Sequence, residues 1–158
     1  MIRTVPSFIL FTMPLIAILG RAAVTLASLF TDWAVLQHGL PIPVWGTAAS
    51  GERVTVEFAG QTAQAIADAR GRWLARLPAL SARAVGQDLV VRGENELRRP
   101  DVHVGEVWLA GGQSNMESRL AKASGGQEAV MAADDPQLHF SKVAHATTAT
   151  VQDAVQGE

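Results

Sequence analysis

The chain has 158 residues, 48% of them hydrophobic and 18% charged, with 13 basic and 15 acidic side chains and a formal net charge of -2. That length suits one ordinary domain, or a small domain with part of another, and the composition is that of a chain that folds rather than one that stays disordered. A near-neutral balance without a basic run interleaved with aromatics excludes nucleic acid as the expected partner, and the absence of cysteine excludes disulfides, thiolate metal sites and a cysteine nucleophile.

At the amino terminus, Met1 and Arg3 lead into the apolar run FILFTMPLIAILG, and Gly20, Arg21, Ala22 and Ala23 follow with small residues suited to cleavage after Ala22. This predicts a secretory signal peptide over residues 1–22 and an exported protein, periplasmic or extracellular, with no stable membrane association once processed. The competing reading is a retained anchor over residues 8–30. That stretch is long enough to span a bilayer, but Arg21 within it would be costly.

Residues 29–104 alternate with a period of two. In RVTVEFAG, Val54, Val56 and Phe58 share one face, Thr55 and Glu57 take the other, and Gly60 marks a turn. ARGRWLARLP repeats the pattern with Trp73, Ala75 and Leu77 after a turn at Arg70 and Gly71, and DLVVRGEN and DVHVGEVWL add two more strands. Short strands between Gly, Pro, Asp and Asn signals predict an antiparallel β-sandwich. Pro41 and Pro43 in LPIPVWG would remove ladder donors, so that piece is expected at an edge or in a connection.

From Gly105 the grammar changes. GEVWLA reads as a short apolar strand of a covered parallel sheet, and it runs directly into Gly111, Gly112, Gln113 and Ser114. A helix-compatible stretch broken at Gly125 and Gly126 follows, and QLHFSKV reads as a further strand, so the expected unit is βαβ. A sharp strand-to-helix turn would lift Ser114 above the sheet edge, where ligands bind in open α/β sheets. Glycines permit tight turns and close approach of a substrate, and free N–H groups at a helix start face developing negative charge. Those are the needs of a nucleophile with an oxyanion hole. Gln113 and Asn115 would add amide donors or brace the turn. On spacing alone the favoured reading of the same string is ordinary turn chemistry, with Ser114 as a helix N-cap, and it is not the G-x-S-x-G elbow because Met116 stands in the last position.

GEVWLAGGQSNM closely resembles the nucleophile block of the sialate O-acetylesterase family, serine esterases of the SGNH (GDSL-like) hydrolase group. LFTDWAVLQHGLPIPVWGTAASGERVTVEFAGQ and ADARGRW resemble the β-sandwich that precedes the hydrolase domain in that family, and HFSKVAHATTATVQDAVQGE resembles the second strand and following loop of the hydrolase domain. The resemblance spans residues 29–158. It implies a mixed fold, β then α/β: a signal peptide (1–22), an antiparallel β-sandwich (29–104) and the truncated start of an SGNH-type α/β hydrolase domain (105–158). It further implies that Ser114 is the nucleophile, with its own N–H and the turn residues Gly112, Gln113 and Asn115 supporting the oxyanion, and that an O-acetylated carbohydrate such as a sialic acid is the substrate. No cofactor is implied.

The departures matter too. Where the family usually carries His and Arg, this chain has Trp33 and His38, and the D-x-x-H block that supplies the family's catalytic His and Asp is absent from these 158 residues. The expectation is therefore an amino-terminal fragment, inactive by itself. The alternative is a non-catalytic carbohydrate-binding or structural sandwich with a vestigial hydrolase segment. Asp101 and His103 share a strand face and read as a surface pair rather than a dyad. His139, in the expected second strand, and His145, in the loop after it, are the histidines within reach of the crevice, but neither is the expected base; His38 is expected to face solvent, and no histidine spacing suggests zinc. Trp45, Trp73 and Trp108 are expected in a core, and Trp33 is the candidate for stacking on sugar.

Overall fold

A computed structural model describes residues 23–112 and 118–143. The leader at 1–22, the residues Gln113, Ser114 and Asn115, and His145 all lie outside the described residues.

Period-two alternation becomes burial. In β4 (Arg53–Phe58) the side chains of Val54, Val56 and Phe58 are buried, and in β6 (Arg72–Leu77) Trp73, Ala75 and Leu77 are buried while Arg72, Leu74 and Arg76 are exposed. The other strands are β1 (Thr25–Leu26), β2 (Val35–Gln37), β3 (Ile42–Thr47), β5 (Gln61–Ile66), β7 (Arg83–Arg92) and β8 (Glu96–Gly105). They form a three-stranded sheet in the order β1-β3-β6 and a five-stranded sheet in the order β2-β8-β7-β4-β5. Ile42, Val44 and Leu77 from the first sheet share one core with Val54, Val56, Leu89 and Val102 from the second. This two-sheet arrangement buries the apolar face of each sheet against the other.

Three details correct the sequence-based expectation. The pairing is antiparallel except between β2 and β8, which run parallel with Val35 opposite His103 and Gln37 opposite Gly105. Pro43 lies within β3, the middle strand of its sheet, but β1 pairs only with Gly46 and Thr47, so the Pro43 end of β3 has an open edge where no ladder donor is missed. The packed residues also begin ahead of Leu29, with Val24 buried and clamped by Asn95, whose Oδ1 accepts from Val24 N at 2.6 Å and whose Nδ2 donates to Val24 O at 3.2 Å.

The turns follow residue chemistry. The β4–β5 hairpin closes through Ala59 and Gly60, both left-handed at φ 50° and 77°, the pattern of a two-residue turn whose twist matches its strands. The turn into β6 is held by Asp68, whose Oδ1 accepts from Arg70 N and Arg72 N. Those hydrogen bonds, chiefly the one from Arg72, hold its carboxyl below the ordinary aspartate range.

After Gly105 the expected strand–turn–helix–strand unit is not seen among the described residues. Residues 106–112 have no regular structure, and Val107, Trp108 and Leu109 are 52%, 85% and 96% exposed. The only helical elements among the described residues are a 3-10 turn (Leu120–Lys122) and a helix α1 (Gly126–Ala132) capped by Gly125, and residues 137–142 form no strand. A parallel strand forms only where neighbours pair with it and helices cover it, and among the described residues no strand pairs with 107–109. No helix among the described residues is long and apolar enough to cross a membrane.

Candidate active site

The segment that carries the Gly-Gly-Gln-Ser string leaves the five-stranded sheet at Gly105, and its departure is held by β2. Because β2 runs parallel to β8, Gln37 comes opposite Gly105 and the next residues of both chains diverge side by side. His38 N donates to Gly105 O at 2.9 Å, and Val107 N donates to Gln37 Oε1 at 2.9 Å. The amide of Gln37 also donates to Glu106 Oε2 at 3.3 Å and to His38 O at 3.2 Å, while His38 Nε2 lies 2.6 Å from Glu106 Oε1. Gln37 thus closes a polar clamp around the first two residues of the segment that leads to Ser114.

The hydrogen bond from His38, and then that from Gln37, lowers the Glu106 pKa from the ordinary glutamate value. The sign follows: the clamp's contribution is present above the ordinary glutamate range and is lost as pH falls through the lowered value. Both side chains are well exposed, His38 at 36% and Glu106 at 60%, so solvent screens the pair and its role is orientation more than stability.

Of the residues expected at the site, Gly112 is described and exposed, while Gln113, Ser114 and Asn115 lie outside the described residues. Gly111 is not left-handed, and a Cβ placed there would meet nothing within 4 Å. A cap at Ser114 would not belong to α1, which starts at Gly126.

The histidines are rearranged relative to expectation. His38 does not simply face solvent but pairs with Glu106. Asp101 is left-handed at φ 53° at an irregularity between β7 and β8, and His103 makes a tilted ring contact with His139, centroids 5.1 Å apart, in place of a dyad with Asp101. That contact brings the residue 139 region beside β8.

Among the tryptophans, Trp73 is buried and Trp45 packs edge-to-face on Phe30, whereas Trp108 is exposed rather than in a core. Among the described residues no group of three or more His, Asp or Glu side chains could hold a metal ion. A shallow depression of about 330 Å³ lined by Glu57, Gln61, Gln87 and Asp88 lies at the β4–β5 edge of the five-stranded sheet, opposite the β2 edge that borders the clamp.

Sequence reasoning missed Gln37 and Glu106. Nothing local in either stretch announces the other, because 69 residues separate them and only the parallel pairing joins them.

The crystal structure of a novel carbohydrate acetylesterase from Xanthomonas citri superposes with a TM-score of 0.79 at 46% sequence identity, over 86% of this chain. The chain spans about a third of that protein's length, 32%. No protein-family model matches the chain, and no curated protein matches it.

Proposed function

We propose that this chain carries the nucleophile-bearing part of a serine esterase that removes O-acetyl groups from sialic acid or other acetylated sugars. The observation that carries the reading is its 46% identity to a carbohydrate acetylesterase over 86% of its own length. The Gly111-to-Ser114 string and the clamp that orients its approach support it.

In this mechanism the Oγ of Ser114 attacks the acetyl carbonyl carbon while a histidine takes its proton. Backbone N–H groups at the turn, with Gly112, Gln113 and Asn115 shaping it, hold the tetrahedral oxyanion. The sugar hydroxyl leaves with the proton returned by the histidine, and water then releases acetate from the acyl-enzyme. Open space at Gly111 fits the close approach of an acyl group. None of the four histidines in the 158 residues sits in a D-x-x-H pattern, so the proposed base is supplied from outside them. The leader reading places the protein in an exported compartment, where acetylated glycans are accessible.

The test compares the 158-residue chain with the same chain extended by the downstream reading frame. The extended protein is expected to hydrolyse an acetylated sugar and to be labelled at Ser114 by a serine-reactive phosphonate, and Ser114→Ala is expected to cost about a thousandfold or more in rate. Equal rates for wild type and Ser114→Ala would overturn the assignment. Robust turnover by the 158 residues alone would overturn the external base.

A further inference from the structure

The connection between β1 and β2, residues 27–34, presents one large aromatic ring to solvent and fastens everything around it. Trp33 is 60% exposed and left-handed at φ 60°, a conformation sterically disfavoured for a bulky residue. Its backbone is nevertheless held in place: Trp33 N donates to Pro100 O at 3.2 Å, Ala34 N to Thr31 O at 3.3 Å, and His103 N to Ala34 O at 2.8 Å. Phe30, three residues earlier, is buried with its ring 4.8 Å from that of Trp45, and Phe30 O accepts from Arg99 Nε at 3.0 Å.

The indole itself adds nothing to this anchoring. It lies outside the core and makes no side-chain hydrogen bond among the described residues. A disfavoured backbone and an exposed apolar ring are both costs to folding, and both persist on a connection that the surrounding contacts rigidify. The pairing points to a ligand.

The neighbours say which kind. Asp32 and Arg99 flank Trp33 in the chain and across its backbone hydrogen bond to Pro100. Their charged groups stand 3.9 Å apart, too far for a hydrogen bond, with side chains 45% and 40% exposed. The two charges offset each other, and beyond the Nε bond to Phe30 O the terminal nitrogens of Arg99 stand beside the Asp32 carboxylate with both side chains part exposed. A flat apolar face beside a neutral set of donors and acceptors matches a pyranose ring, with its C–H face and hydroxyl rim.

We infer that Trp33, with Asp32 and Arg99, forms a saccharide-binding platform for a neutral sugar unit, separate from the chemistry at Ser114. Trp33 lies two residues before β2 and Gln37 ends it, so platform and clamp stand at opposite ends of that short strand. The platform would hold a distal unit of an oligosaccharide chain. The choice of a sugar over other ring-bearing ligands rests on the acetylesterase reading; the geometry of the platform does not.

The test is titration of the chain with a neutral oligosaccharide, xylotetraose, and separately with N-acetylneuraminic acid, followed in every variant by isothermal titration calorimetry and, where Trp33 is present, through its indole N–H signal in heteronuclear NMR. Xylotetraose at millimolar concentration is expected to shift that signal. Trp33→Ala should weaken binding by about tenfold or more, Trp33→Phe should retain part of it, and Ser114→Ala should leave it unchanged. Trp33→Gly relieves the left-handed backbone, so it should lose binding while keeping or raising thermal stability, which a structural tryptophan would not do.

No shift with either sugar, or binding unaffected by Trp33→Ala, would overturn the platform. Tighter binding of N-acetylneuraminic acid than of xylotetraose would overturn the neutral class. Esterase activity in the extended protein with no binding at Trp33 sinks the platform alone, and binding without any hydrolysis leaves the platform standing and sinks the esterase reading.

Discussion

Glu52 is the one charged side chain buried among the described residues, and its burial is explained by what it accepts. Its Oε2 takes a hydrogen bond from Ala49 N at 2.8 Å and its Oε1 one from Glu94 N at 2.6 Å, tying the turn before β4 to the turn between β7 and β8. A Cβ on Gly93 would collide with that same carboxylate, which is why the neighbouring position has no side chain. Glu52→Ala leaves two part-buried amides without their charged acceptor and is expected to cost about 3–5 kcal/mol of stability, read from urea unfolding. A loss under about 1 kcal/mol would show that water replaces the carboxylate at both amides. Gly93→Ala should destabilise through the same carboxylate. Residue types here were legible from the sequence, but the meeting of Glu52 with Glu94 across 42 positions was not.

At the scale of the element, β4 and its hairpin were the clearest part of the reading, because Val54, Val56 and Phe58 alternate cleanly and a turn at Gly60 follows. The exception inside the turn is Ala59, left-handed at φ 50° without the side-chain chemistry that suits it. Asn tolerates that conformation and precedes Gly in the most favoured two-residue hairpins, so Ala59→Asn is expected to raise stability by about 1 kcal/mol. An unchanged or lower melting temperature would mean that the hairpin is not a type I′ turn in solution. The stretch at 105–110 shows the opposite outcome. Its apolar run reads as a covered strand, yet β8 stops at Gly105 and Trp108 and Leu109 stand in solvent, since an apolar run states what a segment prefers to be buried against and not whether a partner is present.

For the whole molecule, the two sheets close only with the first folded residues in place. Val24 is 1% exposed and both its backbone groups are held by Asn95, and Thr25 and Leu26 pair with Thr47 and Gly46. On the proposed leader reading, cleavage must therefore leave Val24 on the chain, and intact-mass analysis is expected to find a new amino terminus near Ala23. A mature terminus beyond Leu26 would remove β1 and contradict this fold, and intact Met1 in the membrane fraction would favour the anchor over the leader.

What the sequence by itself determined is local: strand alternation in β4, β6, β7 and β8, the turns at Gly60 and Gly71, and a Ser114 that follows the Gly111–Gly112 pair. These follow from period-two side-chain geometry and from backbone freedom within a few residues. Tertiary structure alone decided the parallel pairing of β2 with β8, and through it the clamp of Gln37 and His38 on Glu106 and the fastening of Trp33 against Pro100. Those contacts join segments more than 60 residues apart. Which strands meet, and in which register, is set by how two apolar faces close over a shared core, and no short stretch of residues encodes it.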